Sequence, residues 1–175
     1  KETEAFIEGC LALGLTDFDH ADIYGGYTTE SDFGKALKAN PALKSQVKLI
    51  TKCGIKMMSE NRPEHKIKSY DLSAEHIINS VENSLNELHV DYLDVLLLHR
   101  PDLLIDPEEV ATVFEKLKKE GKVLNFGVSN FTTSQFELLN RYTPLITNQI
   151  EVSIQHPDAF NDGTLDQCML KKIRP

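Results

Sequence analysis

The sequence predicts an α/β protein whose parallel sheet forms part of a (β/α)8 barrel. Amphipathic helical segments alternate with short apolar runs along the whole chain, which is the pattern of parallel strands joined by right-handed crossovers. The run at 93–98 is apolar at nearly every position, as a strand covered on both faces requires. Five runs each end on a polar residue, and the carboxyl ends of parallel strands share one edge. Barrel and open α/β enzymes keep their active sites at that edge.

Apolar periodicity and helix-capping residues predict five strands and six helices. The strands are expected at 15–18, 47–51, 92–98, 123–128 and 145–148, and the polar residues that end them are Asp19, Lys52, His99, Ser129 and Gln149. The helices are expected at 4–13, at 30–39, after Ser73, between Asp106 and Gly121, at 132–141 and at 164–172.

Local signals indicate where several helices begin. Ser73 is placed to cap the third helix, and Asp106 followed by Pro107 opens the fourth. Thr132 with Gln135 forms a capping box for the fifth. These side chains can satisfy the backbone N–H groups that the first turn of a helix leaves without partners.

Two segments bear on how the sheet is covered. In the first helix, Phe6, Ile7, Cys10 and Leu13 are predicted to share one buried face. The longest irregular stretch, about 54–72, is polar and follows the strand that ends at Lys52. It is therefore expected to lie over the carboxyl edge, as a lid, a binding loop or a disordered segment.

The chain is expected to form one partial barrel domain over residues 1–175. Its 175 residues correspond to one domain, whereas a complete (β/α)8 barrel typically needs about 250. The sequence opens on a helix with no strand before it and closes where another strand is due. The first strand and the last two βα units are therefore expected to be absent.

Composition narrows the classes of partner. The net charge of −8 argues against non-specific binding to nucleic acid or an anionic membrane, and no apolar stretch approaches the roughly 18 residues of a membrane span. Residues 1–4 carry no signal-peptide pattern, and the three cysteines form no CxxC pair. We expect a cytoplasmic protein with free thiols and without nucleic-acid or membrane partners. We expect a monomer, with an oligomer as the open alternative.

Three of the polar side chains that end the strands, together with Tyr24, form a coherent chemical set. Tyrosine is a poor acid at neutral pH, but a nearby ammonium such as that of Lys52 favours the phenolate of Tyr24. A buried lysine needs a carboxylate, which Asp19 supplies, and a neutral His99 can hydrogen-bond a substrate oxygen. The set suits protonation of an oxyanion while hydride arrives at the adjacent carbon. No glycine-rich dinucleotide fingerprint is present, so a Rossmann site is not expected.

Five short segments contain the candidate site residues. They are Phe-Asp-His-Ala-Asp-Ile-Tyr-Gly at 18–25, Leu-Ile-Thr-Lys at 49–52, Asp-Val-Leu-Leu-Leu-His-Arg-Pro at 94–101, Gly-Val-Ser-Asn-Phe at 127–131 and Asn-Gln-Ile-Glu at 148–151. Together they resemble the motifs of the aldo-keto reductases, in the order in which that family carries them. The resemblance covers nearly the whole chain. It implies a (β/α)8 barrel that binds extended NADPH, or NADH, and reduces small aldehydes or ketones to alcohols.

The resemblance also implies roles for individual residues. Tyr24 would be the general acid, tuned by Lys52 and Asp19, and His99 would position the carbonyl. The cofactor-binding residues would be Asp19 again, together with Ser129, Asn130 and Gln149.

Three other interpretations of the same residues stay open at this stage. Lys52 could form a Schiff base in an aldolase, with Tyr24 as the proton shuttle. His20, Asp22 and His99 could hold a metal ion, although we expect that the protein binds none. The chain could also be a non-catalytic, nicotinamide-sensing subunit of the same fold.

Overall fold

The structure, a computed structural model, describes all residues from 1 to 175. Its helices are α1 (Glu2–Ala12), α2 (Thr29–Ala39), α3 (Ala74–Leu88), α4 (Pro107–Lys119), α5 (Thr133–Asn140) and α6 (Thr164–Lys171). Its strands are β1 (Asp17–Asp19), β2 (Lys48–Cys53), β3 (Ile55–Lys56), β4 (Ser69–Tyr70), β5 (Leu93–Leu98), β6 (Val123–Ser129) and β7 (Asn148–Gln149). Short 3₁₀ turns occupy Tyr24–Gly26, Pro41–Leu43 and Asp158–Phe160.

The main sheet has five parallel strands in the order β1-β2-β5-β6-β7. Every crossover therefore leads to the next position in the same direction, as in a barrel. A doubly wound sheet would reverse direction part of the way along. The alternation of strands and helices predicted from the sequence is confirmed, with β7 shorter than expected.

The sheet is strongly curled. Asp19 ends β1 and Gln149 ends β7, the two strands at opposite edges of the sheet. Five flat strands would set these edges about 19 Å apart. The Gln149 Nε2 nevertheless lies 3.2 Å from the Asp19 Oδ1. The strand ends thus surround a common interior.

The stretch at 54–72 is more ordered than the sequence predicted. It carries the antiparallel pair of β3 and β4, in which Ile55 faces Tyr70 and Lys56 faces Ser69. An ion pair between Lys56 and Asp71 holds the base of this hairpin. The expectation of a wholly irregular loop was wrong because the pairing joins residues at the two ends of a long, polar insertion.

The first helix buries less than its periodicity predicted. Ile7 is fully buried, but Phe6 and Leu13 are 61% and 79% exposed. Leu13 lies beyond the last helical residue, and α1 packs against α2, with an edge-on contact of Phe6 to Phe18 of the edge strand β1 at 6.4 Å between ring centroids. Part of its apolar stripe therefore has no element to pack on.

The predicted helix starts are confirmed. The Ser73 hydroxyl accepts from the His76 amide, and the Asp106 carboxylate accepts two first-turn amides of α4. Both bonds of the capping box between Thr132 and Gln135 form, at 2.9 and 3.3 Å. None of the helices combines the length and the apolar character needed to cross a bilayer.

Candidate active site

The polar residues that end the strands gather at one edge, as the sequence predicted. Asp19, Ser129 and Gln149 are the last residues of β1, β6 and β7. Lys52 lies one residue before the end of β2, and His99 directly follows β5. Because the strands are parallel and curled, these side chains come from five separate segments to one rim.

Lys52 is the centre of this group. It is only 1% exposed, and its ammonium lies 2.7 Å from the Asp19 Oδ2, 2.9 Å from the His20 carbonyl oxygen and 3.2 Å from the Tyr24 hydroxyl. An ammonium has three N–H bonds, so each has an acceptor. A buried charge is tolerated when it is paired and fully hydrogen-bonded, which is the situation here.

Tyr24 reaches Lys52 because of a tight turn after β1. Tyr24 begins the 3₁₀ turn, and the next residue, Gly25, has a φ of 60°, a left-handed conformation that favours glycine. A Cβ on Gly25 would come within 2.9 Å of the hydroxyls of both Thr28 and Thr29. The tyrosine ring is 36% exposed, which leaves one side open to a ligand.

His99 completes the arrangement as a neutral imidazole. Its ring meets the Tyr24 ring edge-on, with 5.8 Å between the centroids. Burial, and then the charges of Lys52 and Arg100, lower the pKa of His99 to about 4. The imidazole is therefore uncharged at neutral pH and can take part in a neutral hydrogen bond.

Ser129, Asn130 and Gln149 form a second cluster beside the first. The Asn130 Oδ1 accepts from the Glu151 amide at 2.7 Å, so the Asn130 Nδ2 is left as a free donor. The Gln149 Nε2 donates to Asp19, so the Gln149 Oε1 is left as a free acceptor. The Ser129 oxygen accepts from Arg100 and keeps its own hydrogen. Free donors and a free acceptor in one place match a primary carboxamide.

Arg100 is a site residue to which the sequence analysis assigned no role. Its guanidinium donates to the His99 carbonyl at 3.1 Å and to the Ser129 hydroxyl at 3.3 Å, and so joins the two clusters. A cavity of about 480 Å³ opens beside it, lined also by Asn130 and Glu151. This volume is within the usual range of ligand pockets.

The metal-site interpretation receives no support. No group of three or more His, Cys, Asp or Glu side chains is arranged to hold a metal ion. His20 is buried against Phe33, with 4.5 Å between the ring centroids, and burial lowers the pKa of His20 to about 4. Its contribution to the site is its backbone carbonyl, which accepts from Lys52.

Glu30 is another residue to which sequence reasoning assigned no role. It is 6% exposed and lies on the buried face of α2, where it contacts Thr51 and Ser84. The signal was available, because Glu30 stands three and seven residues before Phe33 and Leu37, on the apolar stripe of an amphipathic helix. A charged residue on such a stripe indicates a specific buried partner.

Known proteins resemble this chain in sequence. The profile of the Aldo/keto reductase family matches residues 1–174. The uncharacterized oxidoreductase YcsN of Bacillus subtilis is 51% identical over 99% of this chain, and the oxidoreductase YdhF of Escherichia coli is 49% identical over 100%. A 6-dehydroglucose reductase of Agrobacterium fabrum is 45% identical over 98%. The chain spans 59% of the length of each of these relatives.

Solved structures agree with the sequence matches. A glycerol dehydrogenase from Gluconobacter oxydans superimposes with a TM-score of 0.85 at 27% identity, covering 98% of this chain and 50% of its own. A thermostable aldo-keto reductase gives a TM-score of 0.81 at 27% identity, covering 98% and 58%. The prediction of an incomplete (β/α)8 barrel is confirmed by these neighbours and by the curled five-stranded sheet. The chain therefore belongs to the aldo/keto reductase family.

Proposed function

We propose that this chain carries the proton-donating and nicotinamide-binding residues of a reductase that converts aldehydes or ketones to alcohols. The observation that supports this most directly is the saturated ammonium of Lys52. All three of its N–H bonds have acceptors, and one of them is the Tyr24 oxygen. Tyr24 thus accepts from Lys52 and keeps its own hydrogen to donate.

The proton step follows from this geometry. The Tyr24 O–H donates its proton to the carbonyl oxygen, and the charge that develops on the phenol oxygen lies 3.2 Å from the Lys52 ammonium. Asp19 keeps that ammonium paired at 2.7 Å. The neutral imidazole of His99, beside the Tyr24 ring, orients the carbonyl, and solvent returns the proton to Tyr24.

The second cluster fits the carboxamide of a nicotinamide. The Asn130 nitrogen and the Ser129 hydroxyl can donate to the carboxamide oxygen, while the Gln149 oxygen can accept from its amide. A bound reduced nicotinamide supplies hydride to the carbonyl carbon. We propose NADPH as the cofactor, with NADH as the alternative that the assay compares.

The cavity beside Arg100 borders the Ser129 and Asn130 cluster, but none of Tyr24, Lys52 and His99 lines it. The kind of substrate is therefore proposed from a relative. The relative named a 6-dehydroglucose reductase makes oxidised sugars reasonable first substrates to test.

The test is a comparison of the protein, as the cell makes it, with its Tyr24→Phe variant. Binding of NADPH and NADH is followed by nicotinamide fluorescence, and reduction by loss of absorbance with a panel of aldehydes and sugar-derived ketones. We expect Tyr24→Phe to lower kcat by about 100-fold or more, with the Kd for the cofactor unchanged. Tyr142→Phe is the matched control, because Tyr142 is 43% exposed and lies between α5 and β7, at the opposite end of the strands from the active-site group.

The turnover assay and a separate borohydride-trapping experiment distinguish the other interpretations. Cofactor binding without turnover, and with no effect of Tyr24→Phe on the biological output, would favour a nicotinamide-sensing subunit. An adduct trapped on Lys52 by borohydride would favour an aldolase. The three occupied N–H bonds of Lys52 argue against that second outcome, because a Schiff base needs a free amine. If neither nicotinamide binds, the proposed function is wrong.

A further inference from the structure

A buried carboxylate behind the sheet connects the two segments that carry Tyr24 and Lys52. Glu30 lies in the first turn of α2 and is 6% exposed. No lysine, arginine or histidine pairs with it. Instead its Oε1 accepts from the Thr51 hydroxyl at 2.5 Å and its Oε2 from the Ser84 hydroxyl at 2.9 Å. A carboxylate without a cation is costly to bury, and these two hydrogen bonds offset part of that cost.

Thr51 is on the opposite side of β2 from the active-site group. Side chains alternate along a strand, so Thr51 points toward α2 and α3 while the next residue, Lys52, points toward Asp19 and Tyr24. Thr51 is fully buried, and Ser84 is 2% exposed. The bond to Glu30 thus holds the strand from behind at the position adjacent to Lys52.

The same carboxylate is close in sequence to Tyr24. The 3₁₀ turn at Tyr24–Gly26 packs against α2, and the Thr28 hydroxyl donates back to the Gly25 carbonyl at 2.9 Å. A shift of α2 relative to β2 would therefore carry the Tyr24 hydroxyl away from the Lys52 ammonium. The hydrogen bond between Glu30 and Thr51 therefore connects the segment that carries Tyr24 to the strand that carries Lys52.

We propose that Glu30 is a positioning residue, whose hydrogen bond to Thr51 sets the contact between the Tyr24 hydroxyl and the Lys52 ammonium. Glu30 acts through Thr51 and the start of α2, and touches no reacting atom. Its effect on rate rests on the proposed function. Its effect on the geometry of Tyr24 and Lys52 does not.

The test uses three variants of the protein as the cell makes it. Thr51→Val replaces the hydroxyl with a methyl group of similar size, and Thr51→Ser restores a hydroxyl. Ser84→Ala is the matched control, because it removes the other hydrogen bond of Glu30 on the side of α3. We expect Thr51→Val to lower kcat about tenfold or more with an unchanged Kd for NADPH. Thr51→Ser and Ser84→Ala should stay within about threefold of the original kcat.

A structural measurement keeps this proposal separate from the proposed function. Crystal structures of the variants give the distance from the Tyr24 hydroxyl to the Lys52 Nζ, which is 3.2 Å here. We expect it to lengthen in Thr51→Val and to be unchanged in Ser84→Ala, even if no substrate is reduced. If Thr51→Val does not fold, Glu30→Asp replaces it, because the shorter side chain cannot hold both hydroxyls. Equal effects of Thr51→Val and Ser84→Ala, or an unchanged distance in the Thr51→Val or Glu30→Asp variant, would overturn the proposal.

Discussion

Asp22 is expected to make the folded protein less stable as the pH rises toward neutrality. Its Oδ1 is buried without a hydrogen-bond partner and faces a polar cavity of about 130 Å³ that Glu30 and His76 also line. Burial, and then the charge of Glu30, raise the pKa of Asp22 to about 7. The folded state therefore keeps a proton on Asp22 at a pH where the unfolded chain has lost it.

The magnitude follows from the difference between the two pKa values. An aspartate in the unfolded chain titrates near 3.9, so between about pH 4 and 7 the folded state binds more protons. In that window the free energy of unfolding falls by about 1.4 kcal/mol for each pH unit, or at most about 4 kcal/mol in all. Asp22→Asn removes this dependence, because asparagine is neutral throughout.

The assay is urea unfolding of the original protein and of Asp22→Asn, followed by circular dichroism between pH 4.5 and 8. The buried His20 and His99 have the opposite effect, because their pKa values are lowered to about 4 and acid destabilises the fold through them. Both proteins share that effect, so it cancels in the difference between their unfolding free energies. We expect the difference to move in favour of Asp22→Asn by about 3 to 4 kcal/mol across this range. Asp91→Asn, at an exposed carboxylate, is the matched control.

Parallel curves of unfolding free energy against pH for the two proteins would refute this reasoning. They would mean that Asp22 is charged in the folded state at pH 6, with a partner or water that supplies the missing hydrogen bond. The absolute stability of Asp22→Asn is not the test, because the new amide also changes the hydrogen bonding inside the cavity.

Two further predictions concern packing and protonation. Gly34→Ala should destabilise the protein by about 1–3 kcal/mol in urea unfolding, since its Cβ would collide with the backbone of Glu87 and Leu88. Gly9→Ala in α1, where a Cβ meets open space, should instead stabilise the protein by up to about 1 kcal/mol. Equal changes in the free energy of unfolding for the two variants would contradict the close packing of Gly34 against α3. The ring protons of His99 should titrate in NMR with a midpoint near pH 4, so that the imidazole stays neutral above about pH 5. A midpoint near 6.5 would show that the ring is not desolvated.

Much of the fold follows from local features of the sequence. Thr132 and Gln135 form their capping box from residues three apart, and Ser73 caps α3 in the same local way. The polar residue at the end of each apolar run marks the carboxyl edge, because strands that alternate with helices are parallel. Asp19, Lys52 and His99 could therefore be placed at one edge without coordinates.

Tertiary structure decided which of these groups touch and which faces are covered. The contact between Asp19 and Gln149 joins residues 130 positions apart and exists only because the sheet curls. Phe6 has the periodicity of a buried residue but is exposed, because α1 lies beside an edge strand. Glu30 has a charge that suggests the surface, yet two hydroxyls from other elements hold it inside. Periodicity and capping act within a few residues, whereas burial and hydrogen-bond partners depend on segments that only folding brings together.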